Sequence, residues 1–110
     1  MKMNQGDVII GPDFIGGNDR RPFIVINNSR HPFREEESLV VLVTTTERDE
    51  AIPLPPEKFK EGRLPKESFV SPWIVTTLKN SMIDREIGTL KTETIKNIAE
   101  EVSKYMEVEN

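Results

Sequence analysis

Apolar residues occur in short runs through the first half of the chain. Phe23 to Ile26 and Leu39 to Val43 are apolar throughout, and polar or turn-forming residues bound both runs. Runs of this length that are rich in β-branched residues are typical of buried strands. The sequence therefore predicts strands at residues 7–10, 23–26 and 38–45, with the third strand central in the sheet.

Glycine and proline divide the rest of this region. Gly16 and Gly17 predict a loop over residues 14–19, and residues 28–37 read as an exposed connection. Four prolines in residues 51–67 predict a long loop with a short edge strand near 52–54. Further strands are expected at 68–71 and 73–75, where Pro72 marks an edge or a bulge. A turn at 83–85 leads to a last strand at 86–89.

The final segment has the pattern of an amphipathic helix. Thr92 is the expected N-cap, followed by Glu93, which is favourable at the positive end of a helix dipole. The apolar face, which we expect to be core or dimer surface, carries Ile95, Ile98, Ala99, Val102, Tyr105 and Met106. The sequence thus predicts one mainly β domain over residues 1–110, a small, partly open barrel at about 5–90 with a C-terminal helix at about 92–107 packed on it.

Composition excludes several classes of protein. The chain has 110 residues, no cysteine and a net charge of −4, so disulfide frameworks, thiolate metal sites and cysteine nucleophiles are excluded. No apolar run approaches the roughly 20 residues of a membrane span. The N-terminus lacks the apolar region of a signal peptide, so we expect a cytoplasmic protein with no membrane contact.

Few kinds of chemistry remain. The chain has one histidine and no glycine-rich phosphate loop, no paired-histidine metal spacing and no Ser-His-Asp set. Arginine, hydroxyl and carboxylate side chains are left, and the planar arginine fork suits phosphate oxygens. Phosphate chemistry is therefore favoured.

Four features follow one another along the chain: residues 5–10, a glycine-containing loop, Arg21-Pro22 before an apolar strand, and an apolar strand that ends at Thr44-Thr45. This order resembles the PemK/MazF family of toxin endoribonucleases, and residues 27–33 with Pro72-Trp73 resemble its archaeal-type members. The resemblance continues through Ser68 to Leu78, Ile83 to Leu90 and the final helix, and so covers nearly the whole chain.

The resemblance implies an SH3-like barrel that cleaves single-stranded RNA without a metal ion or other cofactor. In this family the 2′-hydroxyl attacks the adjacent phosphate and leaves a cyclic phosphate. Arg21 then corresponds to the catalytic arginine that stabilises the growing phosphorane charge. Thr44, with Thr45 as the alternative, corresponds to the hydroxyl that holds a phosphate oxygen. A homodimer and a cognate antitoxin, with an acidic or amphipathic tail across the RNA groove, are also implied.

One feature departs from the family pattern. Bacterial members often carry a glutamate shortly before the Arg-Pro pair, and here residues 16–20 contain none. Asp19 is the candidate to replace it as base or orienting group.

Each candidate also has a purely structural interpretation. Arg21 can be a surface arginine paired with Asp19 or Asp7, and threonines simply suit strand ends. Only one of Thr44 and Thr45 is expected to face the site, because side chains alternate along a strand. The candidate RNA-binding residues are Arg20, Arg30, His31 and Trp73. An RNA path beside the barrel is one interpretation of Lys58, Lys60, Arg63 and Lys66, but their alternation with glutamates favours a solvated charged face.

A second function class stays open at this point. The same barrel can serve as a non-catalytic module that binds a protein target, as in CcdB-like growth inhibitors, or as an inactive regulatory relative. The missing glutamate and the negative net charge favour this alternative. An RNA-cleavage assay separates the two functions.

Overall fold

A computed structural model describes residues 2–110. Its strands are β1 (Asp7–Pro12), β2 (Arg20–Val25), β3 (Glu37–Thr44), β4 (Ile52–Pro53), β5 (Phe59–Gly62), β6 (Phe69–Lys79) and β7 (Arg85–Leu90). Short 3-10 helices occupy Pro56–Lys58 and Asn80–Met82, and helix α1 spans Thr92–Lys104. The strands form one sheet in the order β4-β6-β3-β2-β1-β7-β5, with each pair antiparallel.

The curled sheet is apolar on both faces, which explains the continuous apolar runs in the sequence. Val8, Ile24 and Val41 pack with α1 in one cluster, whereas their neighbours Ile9 and Phe23 pack in a second cluster on the other face. The predicted mainly β fold, a small partly open barrel with a C-terminal helix, is confirmed. Among residues 2–110 no helix is both long and apolar enough to cross a bilayer.

Several element boundaries differ from the sequence prediction. β6 is one strand in which Pro72 to Ile74 form a bulge, because Val41 pairs with Val75 and the next residue, Leu42, pairs with Ser71. The bulge expected at Pro72 is confirmed, but the break into two strands is wrong. The predicted loop over 51–67 contains the unpredicted strand β5, which has a single buried apolar residue, Phe59, because it lies at the sheet edge.

The ends of the helix also differ from the prediction. Lys91, not Thr92, is the N-cap, and no side chain caps the helix. The main-chain carbonyl of Lys58 accepts hydrogen bonds from Lys91 N at 3.0 Å and from the Thr94 hydroxyl at 3.0 Å. These contacts with the barrel fix the start of the helix in place of a local cap. The helix ends at Lys104, so Tyr105 and Met106, 52% and 66% exposed, do not extend the buried face.

Gly6 lies directly against Ile95 of the helix. Its φ is +93°, and a Cβ built there would collide with Ile95 Cδ1. Its N–H donates to Val25 O and its carbonyl accepts from Leu90 N, so Gly6 joins β1 to the neighbouring strands. Both the positive φ and the close approach require glycine.

Candidate active site

A groove of about 440 Å³ lies where β2 begins and β3 ends. Antiparallel pairing of these strands brings the first residues of β2 close to the last residues of β3. The segment that precedes β6 forms the other wall. The groove is lined by Asn18, Arg20, Arg21, Pro22, Val43, Thr44, Thr45, Leu64, Pro65, Lys66 and Ser68. The structure therefore brings together Arg21, Thr44 and Thr45, three of the four residues that the sequence predicts for catalysis.

Arg21 lies within β2 and not in the preceding loop. β2 begins at Arg20 because Arg20 and Arg21 pair with Pro12 and Gly11 of β1. Strand β3 pairs with β2 only from Phe23 onward. Pro22 therefore lies outside this pairing, where the N–H that proline lacks is not needed for a hydrogen bond to β3. A strand backbone of this kind holds Arg21 in a fixed place at the groove.

The partner of Arg21 is Asp13, not Asp19 or Asp7. Arg21 Nε lies 3.2 Å from Asp13 Oδ2, and the two side chains are 13% and 0% exposed. Nε is buried and its N–H makes no hydrogen bond among the described residues, so the contact is an ion pair. Because Nε is buried, the small exposed part of this side chain comes from its other atoms.

Asp13 also organises the loop between β1 and β2. Its carboxylate accepts main-chain hydrogen bonds from Ile15 at 3.0 Å, Gly16 at 2.7 Å and Asn18 at 3.1 Å. Burial raises the pKa of Asp13, but the hydrogen bonds from Gly16, Ile15 and Asn18 together with the Arg21 charge outweigh it and hold that pKa below its usual range. Asp13 therefore stays ionised beside Arg21 at neutral pH.

Asp19, the predicted replacement for the family glutamate, is exposed at the end of this loop. Its main-chain carbonyl accepts a hydrogen bond from Asp13 N at 3.3 Å. Asp19 is absent from the groove lining, which contains no carboxylate. Its role as a base stays a prediction.

Both threonines line the groove, and that only one of the two side chains faces a bound phosphate stays a prediction. β3 ends at Thr44, and the alternation of side chains along a strand does not extend to Thr45. Thr44 Oγ1 accepts the Thr46 N–H at 3.1 Å, which leaves the hydroxyl proton of Thr44 free to point elsewhere. Ser68 is different, because its hydroxyl donates to Lys66 O at 2.8 Å.

The groove lining is cationic. Arg20, Arg21 and Lys66 contribute to it, and Arg20 Nε forms an ion pair of 2.6 Å with Asp84. Lys66 is exposed, as a solvated face predicts, and it also lies in the segment that closes the groove. A groove lined by three cationic residues and by threonines suits a phosphate backbone.

The other predicted RNA-binding residues are not in this lining. His31 Nδ1 accepts the Phe33 N–H at 3.0 Å, and its Nε2 lies 3.8 Å from Glu37. Arg30 is exposed in the same loop. Trp73 packs edge to face against Tyr105, with ring centroids 6.1 Å apart. The structure therefore brings only Arg20 of this set together with Arg21 and Thr44.

A pair of carboxyl groups lies outside the groove. Asp7 is buried at the start of β1 and accepts the Asn4 N–H at 2.8 Å. Its hydrogen bond to Glu86, together with partial burial of Glu86 and the like charges of Asp7 and Glu61, raises the pKa of Glu86 to about 7. Asp7 and Glu86 line a small cavity together with Lys2 and Arg85. Among residues 2–110, no group of three or more His, Asp or Glu side chains is placed to hold a metal ion.

This pair makes stability depend on pH. Because the pKa of Glu86 rises from 4.5 to about 7 on folding, the folded state keeps a proton that the unfolded state has lost. We therefore expect wild-type stability, measured relative to Glu86→Gln, to fall as pH rises from about 4.5 to about 7. Urea unfolding across this range checks the prediction, with the exposed Glu57→Gln as the control. If the difference in the free energy of unfolding between wild type and Glu86→Gln stayed constant over this pH range, the prediction would be contradicted.

Known proteins resemble the chain in both sequence and structure. The sequence model of a family described as "PemK-like, MazF-like toxin of type II toxin-antitoxin system" matches residues 4–106. No curated protein matches the sequence at a significant level. The solved structure of an endoribonuclease in complex with its cognate antitoxin, from a mycobacterial species, is similar with a TM-score of 0.78 and 17% identity over 98% of both chains.

Two further structures show the same fold. The toxin MazF-mt6 of Mycobacterium tuberculosis is similar with a TM-score of 0.71 and 20% identity over 94% of this chain and 99% of that chain. A MazE-MazF structure from Deinococcus radiodurans gives a TM-score of 0.71 and 12% identity over 99% of both chains. The family match covers most of the chain and confirms the family that the motifs indicate. The chain belongs to the PemK-like, MazF-like family of toxins of type II toxin-antitoxin systems.

Proposed function

We propose that this chain is a metal-independent endoribonuclease that cuts single-stranded RNA in the groove beside β2 and β3. The observation that supports this most strongly is the position of Arg21 and Thr44 on two neighbouring strands, lining one groove with Lys66 opposite. A groove of this composition holds a phosphodiester, and single-stranded RNA brings a 2′-hydroxyl next to that phosphate. Family membership and the solved endoribonucleases of the same fold support the reaction type.

The reaction needs little beyond positioning and charge. The 2′-hydroxyl oxygen attacks the adjacent phosphorus, the bond from phosphorus to the 5′-oxygen breaks, and the products are a 2′,3′-cyclic phosphate and a 5′-hydroxyl. Negative charge grows on the non-bridging oxygens in the transition state. The Arg21 guanidinium stabilises that charge, and a fixed donor of this kind is more effective than water because it does not have to reorient.

Thr44 holds one of those oxygens. Its Oγ1 already accepts the Thr46 N–H, so its proton is directed to a different acceptor, and a non-bridging phosphate oxygen in the groove provides one. Asp19 stays the prediction for the group that takes the 2′-hydroxyl proton. Asp19 lies at the end of the loop between β1 and β2, and it is the carboxylate nearest to Arg21 in the sequence.

The proposal extends to partners. A cognate antitoxin whose acidic segment lies across the cationic groove would block RNA. One similar solved structure is an endoribonuclease in complex with its cognate antitoxin. The exposed apolar side chains of Val75, Tyr105 and Met106 are of the type that a second copy of the chain covers in a homodimer. These interactions take place in the cytoplasm, where the RNA substrates are.

Thr44→Val tests the proposal, because it keeps the shape of the side chain and removes the hydroxyl. We expect cleavage of a mixed-sequence single-stranded RNA to slow by about 10- to 100-fold, the cost of one hydrogen bond to a charged group. Thr45→Val should have a smaller effect. Initial rates on labelled RNA measure both, with the exposed Thr77→Val as the control.

Two outcomes would overturn parts of the proposal. A larger loss in Thr45→Val than in Thr44→Val would transfer the phosphate contact to Thr45. Folded wild-type protein that leaves single-stranded RNA intact would reject the nuclease and favour the module that binds a protein target.

A further inference from the structure

We propose that Asp13 is a positioning residue that sets the orientation of the Arg21 guanidinium for phosphate binding. The inference rests on the proposed nuclease function and adds to it a residue outside the groove lining. It follows from three observations, which concern the ion pair, the loop, and the glycine beside them.

The ion pair fixes one side of the guanidinium. Arg21 Nε is buried against Asp13 Oδ2 at 3.2 Å, and the Asp13 side chain is completely covered. In a planar guanidinium, Nη2 lies on the same edge as the Nε–H, and here Nη2 lies beside the Gly16 backbone. Nη1 is therefore the terminal nitrogen on the edge away from the Asp13 carboxylate, and Arg21 as a whole lines the groove. Nη1 is the part of the fork that can donate a hydrogen bond to a phosphate oxygen.

The loop fixes the carboxylate. Three main-chain N–H groups, from Ile15, Gly16 and Asn18, donate to its two oxygens, so Asp13 cannot change rotamer without losing several hydrogen bonds. A carboxylate with this many donors keeps its charge. It therefore provides a rigid anchor on the side of Arg21 away from the substrate.

Gly16 allows the close contact. A Cβ at this residue would lie 2.9 Å from an Arg21 terminal nitrogen, 3.2 Å from Arg21 Cζ and 2.9 Å from Asp13 Oδ2. The loop backbone therefore covers the guanidinium directly, with no side chain between them. This cover excludes water from the ion pair, which strengthens the attraction between the two charges.

Asp13→Asn tests the inference. Asparagine retains one oxygen for the Ile15 and Gly16 N–H groups, but its amide nitrogen can replace Oδ2 and would then face Arg21 Nε, donor against donor. We expect kcat on single-stranded RNA to fall by about 100-fold, the cost of a misplaced catalytic group, with a smaller change in KM. The exposed Asp49→Asn makes the same chemical change away from the groove and serves as the matched control.

A double-mutant cycle separates positioning from a general structural role. If Asp13 acts only through Arg21, the variant that carries both Asp13→Asn and Arg21→Ala cleaves RNA little more slowly than Arg21→Ala alone. Losses that multiply would show that Asp13 acts independently of Arg21 and would overturn the inference. Wild-type protein without nuclease activity would instead reject the proposed function, which is a different result.

A measurement on the wild-type protein does not depend on activity or on the folding of a variant. With ¹⁵N-labelled protein, the Arg21 Nε–H should give a sharp NMR signal that exchanges slowly with water, because Nε is buried beside Asp13. Fast exchange of this proton in the wild type would contradict the arrangement. Where Asp13→Asn folds, the same signal should broaden or exchange faster, and an unchanged signal would overturn the inference.

Discussion

Arg21→Ala is expected to slow RNA cleavage by about 100- to 1,000-fold, the usual effect of removing one preorganised donor to a transition-state oxygen. The loss should appear mainly in kcat, because the charge that Arg21 stabilises grows as the phosphorane forms. Single-turnover rates on a labelled single-stranded RNA measure it. Arg48→Ala, which removes an exposed arginine from the loop after β3, is the matched control.

Arg21→Lys separates charge from geometry. Lysine keeps the positive charge but lacks the planar fork and the Nε–H that faces Asp13. We expect an activity between that of the wild type and that of Arg21→Ala. Equal activity of wild type and Arg21→Lys would show that the orientation of the guanidinium has no role.

Ile98→Ala should have the largest effect on stability. Ile98 is 1% exposed and lies in the cluster in which α1 packs with Val8, Ile24 and Val41 of the sheet. Truncating a buried isoleucine leaves a cavity, so we expect the free energy of unfolding to fall by about 3 kcal/mol.

Equilibrium urea unfolding measures this change, and Met106→Ala is the control. Met106 follows the helix and is 66% exposed, so its truncation should change stability by at most about 0.5 kcal/mol. Equal stability of the wild type and Ile98→Ala would show that the helix is not packed on the barrel as described.

The sequence was sufficient to predict the main strands, the helix and the groups in the groove that lie on strands. Arg21 and Thr44 could be predicted because the apolar runs indicate where the strands lie and the order of the motifs indicates the family. β5 was missed because its exposed edge position gives it almost no apolar pattern. The helix start was misplaced because the Lys58 carbonyl, a distant group, replaces the local cap.

Asp13 and Lys66 show why the rest of the site could not be predicted. Aspartate before a glycine-containing loop is a signal for side-chain hydrogen bonds to the loop backbone, and this signal could have identified Asp13 as the anchor. Its contact with Arg21, eight residues away, depends on how the loop folds back. Lys66 and Ser68 reach the groove only through the pairing of β3 with β6, which no local pattern encodes.

The most direct test of the nuclease account is the chemical nature of the cut ends. Wild-type protein and Arg21→Ala are incubated with a mixed-sequence single-stranded RNA in excess EDTA, and the fragments are analysed by mass spectrometry and end labelling. The account predicts fragments with 2′,3′-cyclic phosphate and 5′-hydroxyl ends from the wild type and almost none from Arg21→Ala. Intact RNA with folded wild-type protein, or equal cleavage by the two proteins, would contradict it.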